Sequence, residues 1–457
     1  MDKVTKKVNP FRLATLLRLE KDPKMALQLF QSPKIGNPSF RYSSLSYDLI
    51  IQKLGKAKMF EQMEAILQEL QKETRFTPPE QLFCSVIKFY GRDRKPQIAL
   101  QTYERIPSFR CPRTVRALNT LLNALLNCRD METFGRIHDE LDQYASPDLC
   151  TYNILIKACC LNNSPDHAFQ MFEEMVSNGI QPNAITFGTL ITSLCSNSRL
   201  NEAFRLKEDM VWCFNVQPNS LVYTSLMKGL FKANELARAF QLKEEMVDNG
   251  IELDSGVYST LIAGLCNAGR MQEIDGLLKK MKSNGCEPDI VTYNAIICGL
   301  CKEADLESAF GVLNEITKKG HCKPDVFTYN ILIGGLCRQG RAKEAAELVE
   351  DMPRRGCFPD VVTYRILFDG LCREMEFAEA GHLLDEMTFK GFYPRSAHKL
   401  VEGLCKTGDL KLLDSVLSNM AEGLIMDLSA WELAVGTILC ENRSQELLTV
   451  IDIIKSA

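Results

Sequence analysis

The feature that most constrains this chain is a ladder. Met175, Met210, Met246 and Met281 stand 35, 36 and 35 residues apart, and Ile316, Met352, Met387 and Met420 continue at 35, 36, 35 and 33. Gly250, Gly285, Gly320, Gly356, Gly391 and Gly423 keep the same register. So do Pro182, Pro218, Pro288, Pro324, Pro359 and Pro394. A period of this length means that one supersecondary unit recurs. Such a unit cannot bury its apolar faces alone and must stack on its neighbours.

The unit Val326–Asp360 shows what recurs. Phe327, Ile331, Ile333 and Leu336 lie at roughly helical spacing. Gln339-Gly340 supplies a turn. Ala342–Met352 then reads as a second amphipathic helix, with Ala345, Leu348, Val349 and Met352 on one face. Gly356 is a helix C-cap signal, and Pro359 prevents continuation. Asp360 is placed to N-cap the next helix, with Thr363 in its first turn. No period-two alternation survives. The expected fold is therefore all-α: a right-handed superhelical α-solenoid of stacked helix-turn-helix units of about 35 residues.

The division expected is Ser44–Pro79, Glu80–Thr114, Val115–Asp148, Leu149–Asn183, Ala184–Asn219, Ser220–Asp254, Ser255–Asp289, Ile290–Asp325, Val326–Asp360, Val361–Arg395 and Ser396–Asp427. Residues 1–43 hold an N-terminal segment and a degenerate capping unit, and Leu428–Ala457 a partial C-terminal cap.

Composition excludes several function classes. With 25% charged and 46% hydrophobic residues the chain is not expected to be disordered. No apolar run reaches the ~18 residues of a membrane span, so no membrane insertion is expected. Without an apolar secretory core after Met1, the 18 Cys need not form disulfides. Seven of them, Cys160, Cys195, Cys266, Cys301, Cys337, Cys372 and Cys405, recur one per unit and read as small buried apolar residues, too far apart to share a metal. Cys298 and Cys301 mimic a redox pair inside a helix. The 5 His are dispersed. No metal site, cofactor, small-molecule substrate or catalytic constellation is expected. A net charge of −4 means that nucleic-acid binding would need a locally patterned surface.

The segments V-T-Y-N-A-I-I-C-G-L-C-K, F-T-Y-N-I-L-I-G-G-L-C-R and C-T-Y-N-I-L-I-K-A-C-C are each followed by an E-E-M-like helix and a closing Pro-Asp or its equivalent. They resemble pentatricopeptide repeats. The 35-residue period resembles the P-type members of that plant-rich family. The looser Ser44–Thr114 and the short Ser396–Asp427 depart from the pattern. The resemblance implies sequence-specific binding of single-stranded RNA, about one base per repeat, without catalysis, in organellar RNA processing, stability, splicing or translation. RNA-processing proteins would be further partners. A basic amphipathic stretch in Met1–Glu20 and the family leaning point to mitochondria, with the chloroplast, or the cytoplasm or nucleus, as alternatives.

By the same resemblance, the fifth and last residues of a repeat read the base. The pairs are Asn119/Asp148, Asn153/Asn183, Gly188/Asn219, Thr224/Asp254, Ser259/Asp289, Asn294/Asp325 and Asn330/Asp360. The family's base code then implies 5′-U-(C/U)-(A?)-G-G-U-U-3′. Asn, Ser, Thr and Gly are middling to poor helix formers, yet they hold a helix interior in seven successive units, and a local rule broken in register marks a functional site. The structural alternative is that Asn ties adjacent repeats together and Asp caps the next helix. The second residues, Ile185, Leu221, Val291, Phe327 and Val362, would wedge between bases, or else pack between helices. Gly256 leaves a gap there. The thirteenth residues, Lys232, Lys302, Arg338 and Arg373, with Lys56, Arg92 and the matching Lys406, would contact phosphate, or else serve as solvated charges at a helix C-terminus. Arg365/Arg395 fits no reading pair and is assigned to phosphate. A tetratricopeptide-like scaffold binding a peptide or partner protein is the alternative function. That family has a 34-residue period and W-x-x-L-G-x-x-Y, where this chain has T-Y-N and Pro-Asp.

Overall fold

The computed structural model describes residues 9–144, 146–319, 322–394, 397–407, 410–422 and 431–436. Most of the expected C-terminal cap, Leu428–Ala457, and the first residues of the basic N-terminal stretch lie outside them. All regular structure among the described residues is helical.

The chain divides into two compact units, Met1–Pro218 and Asn219–Ala457. In the first, the helices Ser44–Lys56, Glu80–Arg92, Val115–Cys128, Leu149–Leu161 and Ala184–Ser196 each open a pair. They are followed by Phe60–Lys72, Pro96–Arg105, Met131–Asp139, Pro165–Ser177 and Leu200–Trp212. Pro10–Leu19 and Pro23–Gly36 precede them. In the second unit, Ser220–Lys232, Ser255–Asn267, Ile290–Lys302, Val326–Arg338 and Val361–Arg373 open pairs closed by Leu236–Asp248, Ile274–Ser283, Leu306–Lys319, Ala342–Asp351 and Phe377–Phe389. His398–Thr407 and Leu410–Glu422 follow.

Local chemistry sets the ends of each pair. Asp148, Asn183, Asp254, Asp289, Asp325 and Asp360 cap the next opening helix, their side chains accepting from its first-turn N–H groups. The expected second helix of Val326–Asp360 ends one residue early, at Asp351. A 3-10 turn at Pro353–Arg355 follows, because Pro353 cannot donate to an α-helical carbonyl. Gly356 then takes φ +80, a left-handed conformation that a side chain would strain.

Within a pair, the Tyr beside the fifth residue clamps the two helices. Tyr152 donates to Glu174 and accepts from Asn178, and Tyr223 does the same with Glu245 and Asn249. Between pairs, Cys and Gly interlock. A Cβ on Gly335 would lie 2.8 Å from Cys301 Sγ, and one on Gly299 would lie 2.8 Å from Cys266 Cβ. Five of the seven recurrent thiols are buried, while Cys160 and Cys405 are half-buried. The methionines Met175, Met210, Met246, Met281, Met352, Met387 and Met420 are all sealed in the core.

Candidate nucleic-acid interface

The second, fifth and thirteenth residues all lie on the opening helices. Ile185, Leu221, Val291, Phe327 and Val362 are 59, 51, 60, 63 and 47% exposed. Single exposed apolar residues are common, but five at one register position are not what inter-helix packing produces. The second residues therefore stand in solvent.

The fifth residues lie lower. Asn119, Asn294, Asn330, Ser259 and Thr224 are only 6–9% exposed, so they sit on the floor between opening helices. Each is engaged. Thr151 donates to Asn119 Oδ1 at 2.8 Å, and Thr186, Thr328 and Thr363 donate to Asn153, Asn294 and Asn330 at 2.7 Å. Asn119 Nδ2 donates to Asp148 at 3.0 Å, and Asn330 Nδ2 reaches Asp360 at 3.5 Å. Thus Asn does tie neighbouring repeats, and Asp does cap. A hydrogen-bonded amide keeps a second N–H, and a capping carboxylate a second oxygen, so neither role uses up the pair. Thr224 donates to Ser220 O at 2.6 Å; Ser259 lies 2.7 Å from Ser255 O and 2.7 Å from Thr292 Oγ1 of the next repeat. Burial pushes the Asp148 and Asp360 carboxyls up. Hydrogen bonds outweigh it and leave both below the ordinary carboxylate value: Thr151 and Asn119 bind Asp148, and Thr363 and Asn330 bind Asp360. Both are anionic acceptors at neutral pH.

Two grooves join these parts. One, of about 490 Å³, is lined by Ser259, Asp289, Val291, Lys228 and Lys232. The other, of about 640 Å³, is lined by Asn119, Asp148, Lys88, Arg92 and Lys157. Gly188 and Asn219 fall in different compact units, and each is placed only within its own: Gly188 in a buried helix turn, Asn219 as the cap of Ser220–Lys232.

Lys56, Arg92, Lys232, Lys302, Arg338, Arg373 and Lys406 are all exposed. Among their partners, Lys302 donates to Asn267 Oδ1 at 2.6 Å, Arg373 to Cys337 O at 3.5 Å, and Lys406 pairs with Glu402 at 2.6 Å. Arg365 donates to Tyr393 O at 2.8 Å and so braces its own repeat. Sequence reasoning passed over Lys88, Lys157 and Lys228. Each lies four residues after a fifth residue, Cys84, Asn153 or Thr224, and so one helical turn along the same face. That spacing was the available signal.

Comparison with known proteins agrees with this architecture. The PPR repeat family matches residues 147–196, 185–232, 218–267, 254–302, 288–338 and 324–373. A PPR repeat matches 362–392, and a pentatricopeptide repeat domain matches 113–162. Together these cover more than half of the chain. The chain belongs to the pentatricopeptide repeat family. An Arabidopsis thaliana pentatricopeptide repeat-containing protein is 45% identical over 180 residues, 38% of each chain. The small ribosomal subunit protein mL103 of the same plant is 25% identical over 178 residues, 38% of this chain and 43% of that one. The matched segments span about two fifths of these curated relatives. The pentatricopeptide repeat protein PPR10 from maize matches with a TM-score of 0.72 at 21% identity, over 98% of this chain and 64% of that one. PPR10 in complex with an 18-nt psaJ RNA element matches with a TM-score of 0.62 at 19% identity, over 96% and 68%. At these identities the likeness establishes the pentatricopeptide repeat fold.

Proposed function

We propose that this pentatricopeptide repeat protein is a P-type member that binds single-stranded RNA in a sequence-specific way, about one base per repeat, without catalysis. The observation that carries the reading is the five second-position side chains held in solvent, one of which, Val291, shares a groove with Ser259, Asp289, Lys228 and Lys232. Bases of an unpaired strand can insert between such side chains, a contact typically worth ~1–3 kcal/mol per base for stacking platforms. Their Watson–Crick edges then meet the fifth and last residues, which a duplex would hide. The resemblance of Asn119/Asp148, Asn294/Asp325 and Asn330/Asp360 to pairs that read U makes chemical sense. An amide N–H can donate to a uracil carbonyl while the carboxylate accepts its N3–H. Lys88, Lys157, Lys228, Lys232 and Arg338 would meet the phosphates.

RNA-bound PPR10 supports the ligand class by analogy of fold, and relatives named as mitochondrial support action in that organelle. Fluorescence anisotropy with 5′-UCAGGUU-3′ against the same bases in permuted order tests the reading. The matched oligomer should bind at least about tenfold more tightly, as a few good base contacts would give. Equal binding of both would overturn it and turn attention to a protein partner.

A further inference from the structure

The third residue of an opening helix is not assigned any part in base reading by the pairs above. In this chain it varies with the fifth residue of the preceding repeat. Asn119, Asn153, Asn294 and Asn330 are followed by Thr151, Thr186, Thr328 and Thr363. Gly188 and Thr224 are followed by Val222 and Val257. These four threonines and Thr292, which follows Ser259, are fully buried, as are both valines. Val and Thr are nearly isosteric, and both occupy the slot with no exposure. Packing therefore does not demand the hydroxyl. It is present wherever an Asn amide must be held, and also at Thr292, whose hydroxyl lies 2.7 Å from that of Ser259.

The network fixes which way the amide points. Thr151 Oγ1 accepts the Asp148 N–H at 3.2 Å, so its own proton must be donated elsewhere. It lies 2.8 Å from Asn119 Oδ1 and 2.9 Å from Asp148 Oδ1. The carboxylate oxygen already accepts from Thr151 N and from Asn119 Nδ2. The Asn carbonyl has no other donor among the described residues, so the hydroxyl proton is best used there. Turning the amide over would set Oδ1 against the carboxylate and repel it. The same hydroxyl geometry recurs at Thr328, 2.7 Å from Asn294 Oδ1 and 2.8 Å from Asp325 Oδ1. It recurs at Thr363, 2.7 Å from Asn330 Oδ1 and 3.0 Å from Asp360 Oδ1.

We propose that Thr151, Thr186, Thr328 and Thr363 are positioning residues for base selection, each serving the repeat before its own. The hydroxyl holds the Asn carbonyl inward and leaves only N–H groups toward the ligand. An Asn free to turn over would offer a donor or an acceptor and so take U or C. An Asn locked as a donor, beside a carboxylate acceptor, takes U and rejects C, whose N4–H₂ and N3 reverse that pattern. Reading one base therefore needs three side chains from two repeats. The inference rests on the base-reading role proposed above.

The full chain tests it by anisotropy, with oligomers carrying U, C, A or G at the sixth base of the core, the one assigned to Asn294. Wild type should prefer U. Thr328→Val should lower the U-over-C ratio about threefold to tenfold, the worth of one neutral hydrogen bond. The seventh-base preference should not move, and Thr328→Ser should restore the sixth. A purely structural role would weaken all oligomers alike and leave the ratio unchanged, which would overturn the proposal. A wild type indifferent to the sixth base would overturn the base-reading role itself, and the positioning role with it. A second comparison does not depend on how well Thr328→Val folds. Thr224→Asn alone leaves Val257 beside the new amide, so its shift from G toward U should be partial. Thr224→Asn with Val257→Thr should complete the shift, and equal preferences in the two variants would overturn the proposal.

Discussion

At the scale of single residues, one recurring side chain often does two jobs. Asp360 caps the Val361–Arg373 helix through Val362 and Thr363 and also faces Asn330. The buried thiols do only one. Burial pushes Cys266 and Cys372 up to about 12, and Cys195, Cys301 and Cys337 up to about 11. They are therefore neutral, unreactive packing groups at physiological pH. The sign of their effect on stability follows. The folded state keeps these protons where the unfolded chain, with thiol values near about 8.5, releases them. Their contribution is intact below that value and is lost as pH rises toward about 11–12. Thermal melts from pH 8 to 11 should show a fall in Tm that is shallower when Cys301 and Cys337 are both Ala. Parallel curves would rule out the thiols as its source.

At the scale of the helix, Gly335 and Cys301 explain a choice that propensity alone opposes. Glycine inside a helix costs about 1 kcal/mol relative to alanine. It persists at Gly299, Gly335 and Gly370 because the preceding repeat's thiol fills the space a Cβ would take. Close approach of opening helices returns more in packing than the glycine loses. Gly335→Val should therefore destabilise by about 1–3 kcal/mol, the usual range for overpacking. Denaturant melts would register it, and an unchanged midpoint would mean that the helices are not held at that distance. The sequence showed the Cys ladder as buried and apolar. It did not show the glycine partner, because that contact joins residues 34 or so positions apart, at a separation only stacking creates.

At the scale of the whole molecule, charge is organised by the repeat. A chain of net charge −4 can still attract a polyanion if its cations line one face of successive units. Within the first compact unit Lys88 and Lys157 line a groove with Arg92, and within the second Lys228 lines one with Lys232. Affinity for RNA should fall with salt, with a log–log slope of about −0.7 per phosphate contact on a single strand. Arg338→Ala should weaken matched and permuted oligomers alike and make the slope shallower by about that amount. A selective loss for the matched sequence would instead make Arg338 a base contact.

The repeat, its length and its helical character were legible because period, capping residues and turn glycines are local properties written in consecutive residues. The positions of Asn294, Val291 and Lys232 in the unit were legible for the same reason. What the sequence left open was whether the second residues pack between helices or stand in solvent. It also left open whether the Asn residues tie repeats or face a ligand. Those choices depend on how closely one opening helix approaches the next. Stacking decided the first and gave the Asn residues their inter-repeat bonds: it lifted Val291 and Phe327 into solvent, buried Asn294 and Asn330 between opening helices, and brought Thr328 and Thr363 within hydrogen-bonding distance of a neighbour's amide. A residue's own chemistry fixes what it can bond to, but only packing between units fixes what is near enough to be bonded.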